Sequence, residues 1–320
     1  MLKKIGKLSL IIIVFVALTA CNSNSNGGSG NTDSDKYNFA FLPNTQNNSF
    51  QTAMTQRFEE LSKEEDFDFT MLDPDYDLNE QLSQMSDAAN QKFDAVFIIP
   101  VDSSGIRQGL EQLNDMNIPV FNVDTAVTEE DRDLVESVIA TDAFMAGQLM
   151  GEQMVQNYPD GAKIAILDFP SNESTVERVK GFMDGLGDDE SKFEIVAQQD
   201  GKATTDDSLP IAEDIIQANP DLDAFFAIND PSALGVVSAI EHSGQEDIDV
   251  YSIDASPDGK DALINGKFTA VSAQVPIGIA ESAVESALDK LEGKDVDKEI
   301  YLPSHVVDKE EAEETKDEWQ

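Results

Sequence analysis

From residue 37 onward, short and nearly unbroken apolar runs alternate with longer stretches in which apolar residues recur every three or four positions. Runs at 37–42, 67–72, 95–99, 120–123 and 134–140 predict five strands, and runs at 163–167, 193–197, 224–228, 250–253 and 269–274 predict five more. A strand that is apolar at every position has both faces covered, as in a parallel sheet between two helix layers. Between the strands, Leu82, Met85 and Ala89 share one helical face, as do Ile106, Leu110 and Leu113. Ile211, Ile215 and Ile216 form another buried stripe. Gly147 and Gly151, four apart, predict a flat strip where a helix approaches its sheet closely. Repeated strand–helix–strand units require parallel sheets with right-handed crossovers. The two series of strands part near 140–143, so the expected fold class is α/β, with two doubly wound parallel-sheet lobes. A helix at 275–291 and an extended piece at 299–303 complete the pattern. The tail at 308–320 is almost all charge and is expected to fray or form a loose helix.

The first 36 residues stand outside this pattern. Lys3, Lys4 and Lys7 precede an apolar run at 8–17, and Leu18-Thr19-Ala20 lead into Cys21, the only cysteine. This is the shape of a secretory signal. The run falls short of the about 20 apolar residues that span a bilayer. The tetrapeptide resembles the lipobox of bacterial lipoproteins, where cleavage leaves the cysteine as a diacylglycerol-modified N-terminus; the alternative is an ordinary signal followed by a free thiol. Residues 1–20 are thus expected to be a lipoprotein signal peptide and 21–36 a lipid-anchored linker. The stretch 22–35 holds only Asn, Ser, Gly, Thr and Asp, so it has nothing to bury. As a flexible coil it spans about 20 Å, which tethers a globular body to the extracytoplasmic face of the cell membrane.

Charge narrows the partners. The chain carries 63 acidic and 21 basic residues, and without the three signal lysines the balance is 18 − 63 = −45. Such a surface repels nucleic acid and anionic lipid. Affinity for a cationic ligand is one reading. A solvated acidic surface suited to a saline or alkaline exterior is the better one, because the acids are spread over every segment. With one cysteine the body has no intrachain disulfide, and 40% apolar residues supply the cores instead.

In open parallel sheets, ligands gather beyond the carboxyl ends of the strands. Pro43-Asn44-Thr45-Gln46-Asn47-Asn48-Ser49-Phe50 follows the first strand, Asp124 the fourth, Asn229-Asp230 the eighth and Asp254 the ninth, while the tenth ends in Gln274. Asn, Asp and Gln offer planar donors and acceptors that match vicinal hydroxyls, and Phe50 offers an apolar face for C–H groups. Each residue alone also reads as a turn or cap: Asn48 or Ser49 for the helix near Gln51, and Asn229-Asp230-Pro231 for a helix start. Five polar ends at five strand termini carry more weight than any one of them.

These stretches resemble the group I, ribose-type periplasmic sugar-binding proteins of ABC transporters over essentially all of 37–303. The resemblance rests on Asn47-Asn48-Ser49-Phe50, Ile118-Pro119-Val120 through Asp124, and Ala140-Thr141-Asp142 with Gly147 and Gly151. Further on come Arg178 before Gly181-Phe182, Ala227-Ile228-Asn229-Asp230, Ile253-Asp254 with Asp258-Gly259, and Gln274 before Pro276. It implies a periplasmic binding protein type I fold with a three-stranded hinge, crossed near Ala140, Gln274 and Pro303. The expected lobes are 37–140 with 275–302 and 141–274 with 303–311, leaving 312–320 as a charged tail. It also implies that Asn48, Phe50, Asp124, Asn229, Asp254 and Gln274 contact a sugar, with Asn44, Gln51, Thr125 and Arg178 as further candidates. The chain departs from the family at four positions: Val176 stands where a family arginine grips hydroxyls, Gln51 and Ala203 stand where the family has aromatics, and Thr125 replaces another arginine. A more acidic pocket follows, suited to a polyol, an amino-sugar or a differently substituted monosaccharide rather than ribose.

No enzyme signature competes. His242 and His305 lie far apart, and no Gly-x-Ser-x-Gly elbow, P-loop or Gly-x-Gly-x-x-Gly follows a strand. Asp73-Pro74-Asp75-Tyr76-Asp77 looks like the start of a calcium loop but has Leu78 and Gln84 where that loop needs Gly and Glu, so it reads as a helix-start turn. No cofactor and no metal are expected. The resulting picture is a monomeric, lipid-anchored receptor that closes around a sugar or polyol and delivers it to an ABC permease. The alternative is a sensory subunit that presents its ligand to a chemoreceptor or histidine kinase. A repressor core, which shares this fold, is argued against by the acidity and the lack of a basic helix-turn-helix.

Overall fold

A computed structural model describes residues 36–319. The expected signal peptide, Cys21 and the linker at 22–35 lie outside the described residues. The first sheet begins with β1 (Asn38–Leu42), β2 (Asp68–Met71), β3 (Ala95–Ile98), β4 (Val120–Val123) and β5 (Ser137–Thr141). Helices α1 (Ser49–Glu64), α2 (Leu78–Gln91) and α3 (Arg107–Asp115) connect them. After α4 (Ala143–Asn157), the second sheet takes β6 (Lys163–Asp168), β7 (Glu194–Asp200), β8 (Ala224–Ala227), β9 (Asp249–Asp254) and β10 (Ala270–Ala273). Its helices are α5 (Glu173–Leu186), α6 (Thr205–Ala218), α7 (Asp230–Ser243) and α8 (Pro257–Ile264). The chain then returns through α9 (Pro276–Leu291) to β11 (Glu299–Leu302) of the first sheet, and crosses back to β12 (Val306–Val307) and α10 (Lys309–Glu314).

Each sheet has six strands. The first runs β11-β5-β4-β3-β1-β2, all parallel, and the second runs β12-β10-β9-β8-β6-β7, with only β12 antiparallel. Three segments therefore join the lobes, following Thr141, Ala273 and Leu302. Strand order reverses beside β1 in one sheet and beside β6 in the other, which opens a crevice at the carboxyl ends of the strands.

The unbroken apolar runs are explained by alternation between two cores. In β1, Phe39 and Phe41 face the side covered by α1 and α9, while Ala40 and Leu42 face α2 and α3. In β8, Phe225 and Ala227 pack toward α6 and α7, while Ala224 and Phe226 pack toward α4 and α5. Burying each such phenylalanine contributes about 1.5–3 kcal/mol. The rings also meet one another: Phe58 stacks on Phe97 at 4.8 Å, and Phe182 on Phe226 at 4.2 Å.

All ten predicted strands are present, with three corrections elsewhere. Strand β5 starts at Ser137 rather than 134, because 129–134 wind into a 3₁₀ turn whose Asp131 is held by Arg107 and Thr128. Gly147 and Gly151 bring α4 against a helix, not its sheet. A Cβ on Gly147 would lie 1.9 Å from the carbonyl oxygen of Arg178, and one on Gly151 would lie 2.3 Å from that of Phe182, both on α5. Gly181 and Gly185 answer from the other side, against the carbonyls of Phe144 and Gln148. Of the two expectations for the charged tail, the helix forms, as α10, but it is docked rather than loose: Asp308 caps it, and Ala312 is buried beside α8.

Candidate functional site

The loops at the strand ends converge on a cavity of about 370 Å³ lined from both lobes. All ten residues singled out in the sequence face it: Asn44, Asn48, Phe50, Gln51, Asp124 and Thr125 from the first lobe, Arg178, Asn229 and Asp254 from the second, and Gln274 at a crossing.

Several of these side chains shape the backbone as well. Asn48 caps α1 by accepting from the Phe50 amide at 2.9 Å, and Asn229 caps α7 by accepting from the Ser232 amide at 3.0 Å. The Asn229 amide nitrogen is spent on the Ala203 carbonyl at 3.1 Å. Buried Gln51 accepts from the amides of Asn44 and Thr45 and donates to the Asn44 side chain, so it braces the β1–α1 loop. The capping and lining readings of these residues thus hold together.

Charge is concentrated in three groups. Asp124 (φ +59°) and Asp254 (φ +139°) each end or follow a strand in a conformation rare for residues with a Cβ. Gln274 Nε2 donates to Asp254 Oδ1 at 2.9 Å, and the Asp230 amide donates to Oδ2 at 3.2 Å. Arg178, only 5% exposed, donates from Nη1 to the Ile228 carbonyl at 2.6 Å and pairs with Asp254 at 3.5 Å, while its Nε has no partner in the protein. Burial raises the pKa of both aspartates, opposed first in each case by the Arg178 charge. Behind Asp254, wholly buried Asp230 accepts from Ser252 Oγ, Ser256 Oγ and the Ser256 amide. Burial and the Asp254 charge push it up to about 8.

The expected shortage of cations is therefore corrected at the centre. Arg178, a subsidiary candidate in the sequence, stands as counter-charge to both aspartates, whereas Val176 does not line the cavity. Sequence reasoning missed Tyr76, Phe169, Asn172 and Lys202, which also line it. They follow β2, β6 and β7, and the strand-end rule applied to those strands would have found them. Asn172 is informative because its Nδ2 donates to Thr125 Oγ1 at 3.1 Å, a hydrogen bond across the cleft. The calcium-like turn is a helix start: Asp77 caps α2 by accepting from the Asn79 and Glu80 amides. Among the described residues there is no cluster of His, Cys, Asp and Glu that could hold a metal.

Opposed carboxylates, one guanidinium with a free N–H, and planar amides form a site rich in paired donors and acceptors.

Comparison with known proteins agrees with this geometry. Residues 39–295 match the family model described as a periplasmic binding protein domain. The ribose import binding protein of Bacillus subtilis is 32% identical over 261 residues, covering 81% of this chain and 83% of that protein. The ribose import binding protein of Escherichia coli is 29% identical over 262 residues, covering 82% and 87% respectively. Among solved structures, an ABC transporter solute binding protein from Bacillus halodurans with bound myo-inositol superposes with a TM-score of 0.81 at 25% identity, covering 89% of this chain and 99% of that one.

Proposed function

The chain belongs to the ribose-type periplasmic sugar-binding protein family, and from that premise we propose that it is a lipid-anchored receptor that captures a polyol, an amino-sugar or a substituted monosaccharide and hands it to an ABC permease. Its relatives are binding proteins of sugar import, not enzymes. The observation that carries the reading is the cavity walled from both lobes, with Asp124 and Asp254 facing one Arg178. A ligand that touches both walls binds the closed form better than the open one and so shifts the hinge toward closure. The permease then distinguishes loaded from empty receptor by that shape.

Ribose is disfavoured because Thr125 stands where the family has an arginine and Gln51 and Ala203 stand where it has aromatics, and all three line the cavity. A myo-inositol complex in a relative of similar build supports a ring bearing more hydroxyls. Tethering by Cys21 keeps the receptor beside its permease on the extracytoplasmic face, and one chain suffices because both walls come from it. Calorimetry over pentoses, hexoses, inositols and amino-sugars tests the ligand class. Tight ribose binding, with inositols and amino-sugars inert, rejects it. Release of a Cys21→Ala protein into the medium, with the wild type retained on membranes, tests the anchor.

A further inference from the structure

The C-terminal segment crosses the cleft once more, after the three crossings of the hinge. Strand β12 lies along β10 of the second sheet, and α10 buries Ala312 beside α8. The next turn is held from beneath by Lys260 of α8, a wholly buried side chain whose Nζ donates to the carbonyl oxygens of Thr315 at 3.0 Å and Glu318 at 2.9 Å. An ammonium taken out of water and spent on two main-chain carbonyls fixes the path of the backbone. On the outer side Lys316 pairs with Asp261, also of α8. From this anchor Trp319 reaches the first lobe. Its indole meets Phe50 edge-on, with centroids 5.6 Å apart and planes at 81°. Phe50 opens α1 and lines the main cavity. A smaller cavity of about 110 Å³ lies at this contact, walled by Asn48 and Phe50 of one lobe, Asp230 and Asp254 of the other, and Trp319 itself.

We propose that residues 308–319 form a strap that is anchored on the second lobe and grips the first, with Trp319 a positioning residue for Phe50 and hence for one wall of the ligand cavity. The consequence for affinity rests on reading that cavity as the sugar site. The strap's anchor contacts belong to one lobe and survive opening, whereas the indole–phenyl contact exists only when the lobes approach. It therefore adds to the closed form alone and biases the hinge toward closure, by about two- to tenfold for an aromatic pair of this kind.

Trp319 is the only tryptophan in the chain, so its emission reads the contact directly. In the ligand-free protein, Phe50→Leu should move that emission to longer wavelength and raise its quenching by acrylamide; unchanged emission and quenching overturn the contact. Small-angle scattering of ligand-free Trp319→Ala should give a larger radius of gyration than wild type, with Trp319→Phe close to wild type. Equal radii for wild type and Trp319→Ala overturn the strap. Calorimetry with myo-inositol, D-allose and D-ribose completes the test: for whichever the wild type binds, Trp319→Ala should bind about two- to tenfold more weakly and release faster, with Trp319→Phe restoring most of the loss. Binding of none of the three counts against the sugar assignment, while emission and scattering still decide the strap.

Discussion

Asp124 and Asp254 each hold a positive φ, a backbone conformation that costs a residue with a Cβ about 1–3 kcal/mol. Their surroundings differ in a way that separates binding from stability. Asp254 is held by Gln274, Arg178 and the Asp230 amide, so its removal would leave a buried guanidinium uncompensated. The Asp124 side chain has one 3.3 Å hydrogen bond from Thr125, so its acceptor capacity is open to a ligand. Asp124→Asn should accordingly weaken ligand binding by about 1.5–3 kcal/mol with little change in melting temperature. Calorimetry showing wild-type affinity in that variant would remove Asp124 from the site. Asp230 gives a pH prediction. Facing Asp254, Ser252, Ser256 and the Lys260 charge, it keeps its proton in the folded chain up to about 8, against 3.8 for the unfolded chain. Stability due to the neutral acid is complete below about 3.8 and is lost as pH rises to about 8. Asp230→Asn should therefore melt with a flatter pH dependence across that window, and parallel melting curves would count against the assignment. Most of the ten cavity residues were legible because they follow strand ends in an α/β pattern, whereas Gln51, Thr125 and Arg178 came into view only through the family resemblance. The double duty of the asparagines was not legible, since an asparagine that caps and one that lines look the same in a sequence. Nor was the central place of Arg178, whose reach depends on how closely α5 packs.

That packing is set at the level of elements. Helices α4 and α5 meet through Gly147, Gly151, Gly181 and Gly185, and the carbonyl that a Cβ on Gly147 would strike belongs to Arg178 itself. Gly147→Ala must push the helices apart, at a cost of about 1–3 kcal/mol, and must carry Arg178 away from Asp254. Urea unfolding and calorimetry should fall together in this variant; a loss of stability with unaltered affinity would show that Arg178 tolerates the displacement. The glycine spacing was visible in the sequence, but its partner helix was not, because the matching pair at Gly181 and Gly185 lies in a separate element. Strand β7 illustrates a further limit. Its last residues, Gln198, Gln199 and Asp200, pair in register with β6 although they are polar and exposed, since an edge strand need not bury its side chains. The docking of α10 was illegible for the opposite reason. One buried alanine and a lysine about fifty residues away decide it, and neither leaves a periodic trace.

For the molecule as a whole, charge and topology set the behaviour. A balance of −42 over the full chain works against compactness by self-repulsion, and salt screens it. The melting temperature should rise when sodium chloride is raised from about 0.05 to about 1 M; a flat response would mean that the exposed ion pairs already offset the repulsion. The hydrogen bond from Asn172 to Thr125 spans the cleft, so Thr125→Val should lower affinity by about 1 kcal/mol while leaving the fold intact, again by calorimetry. The route of the chain bears on how the protein is made. The aromatic face of the first sheet, with Phe39, Phe41, Phe97 and Phe121, is roofed partly by α9, which ends at Leu291. A ribosome must therefore add 291 − 121 = 170 residues beyond the last of those rings before the roof is complete. The second half, contiguous from α4 to β10 apart from its short final strand, is free to consolidate first. Any nascent or truncated polypeptide that stops short of α9 displays a sticky aromatic slab, which is the surface that holding chaperones and quality-control proteases engage.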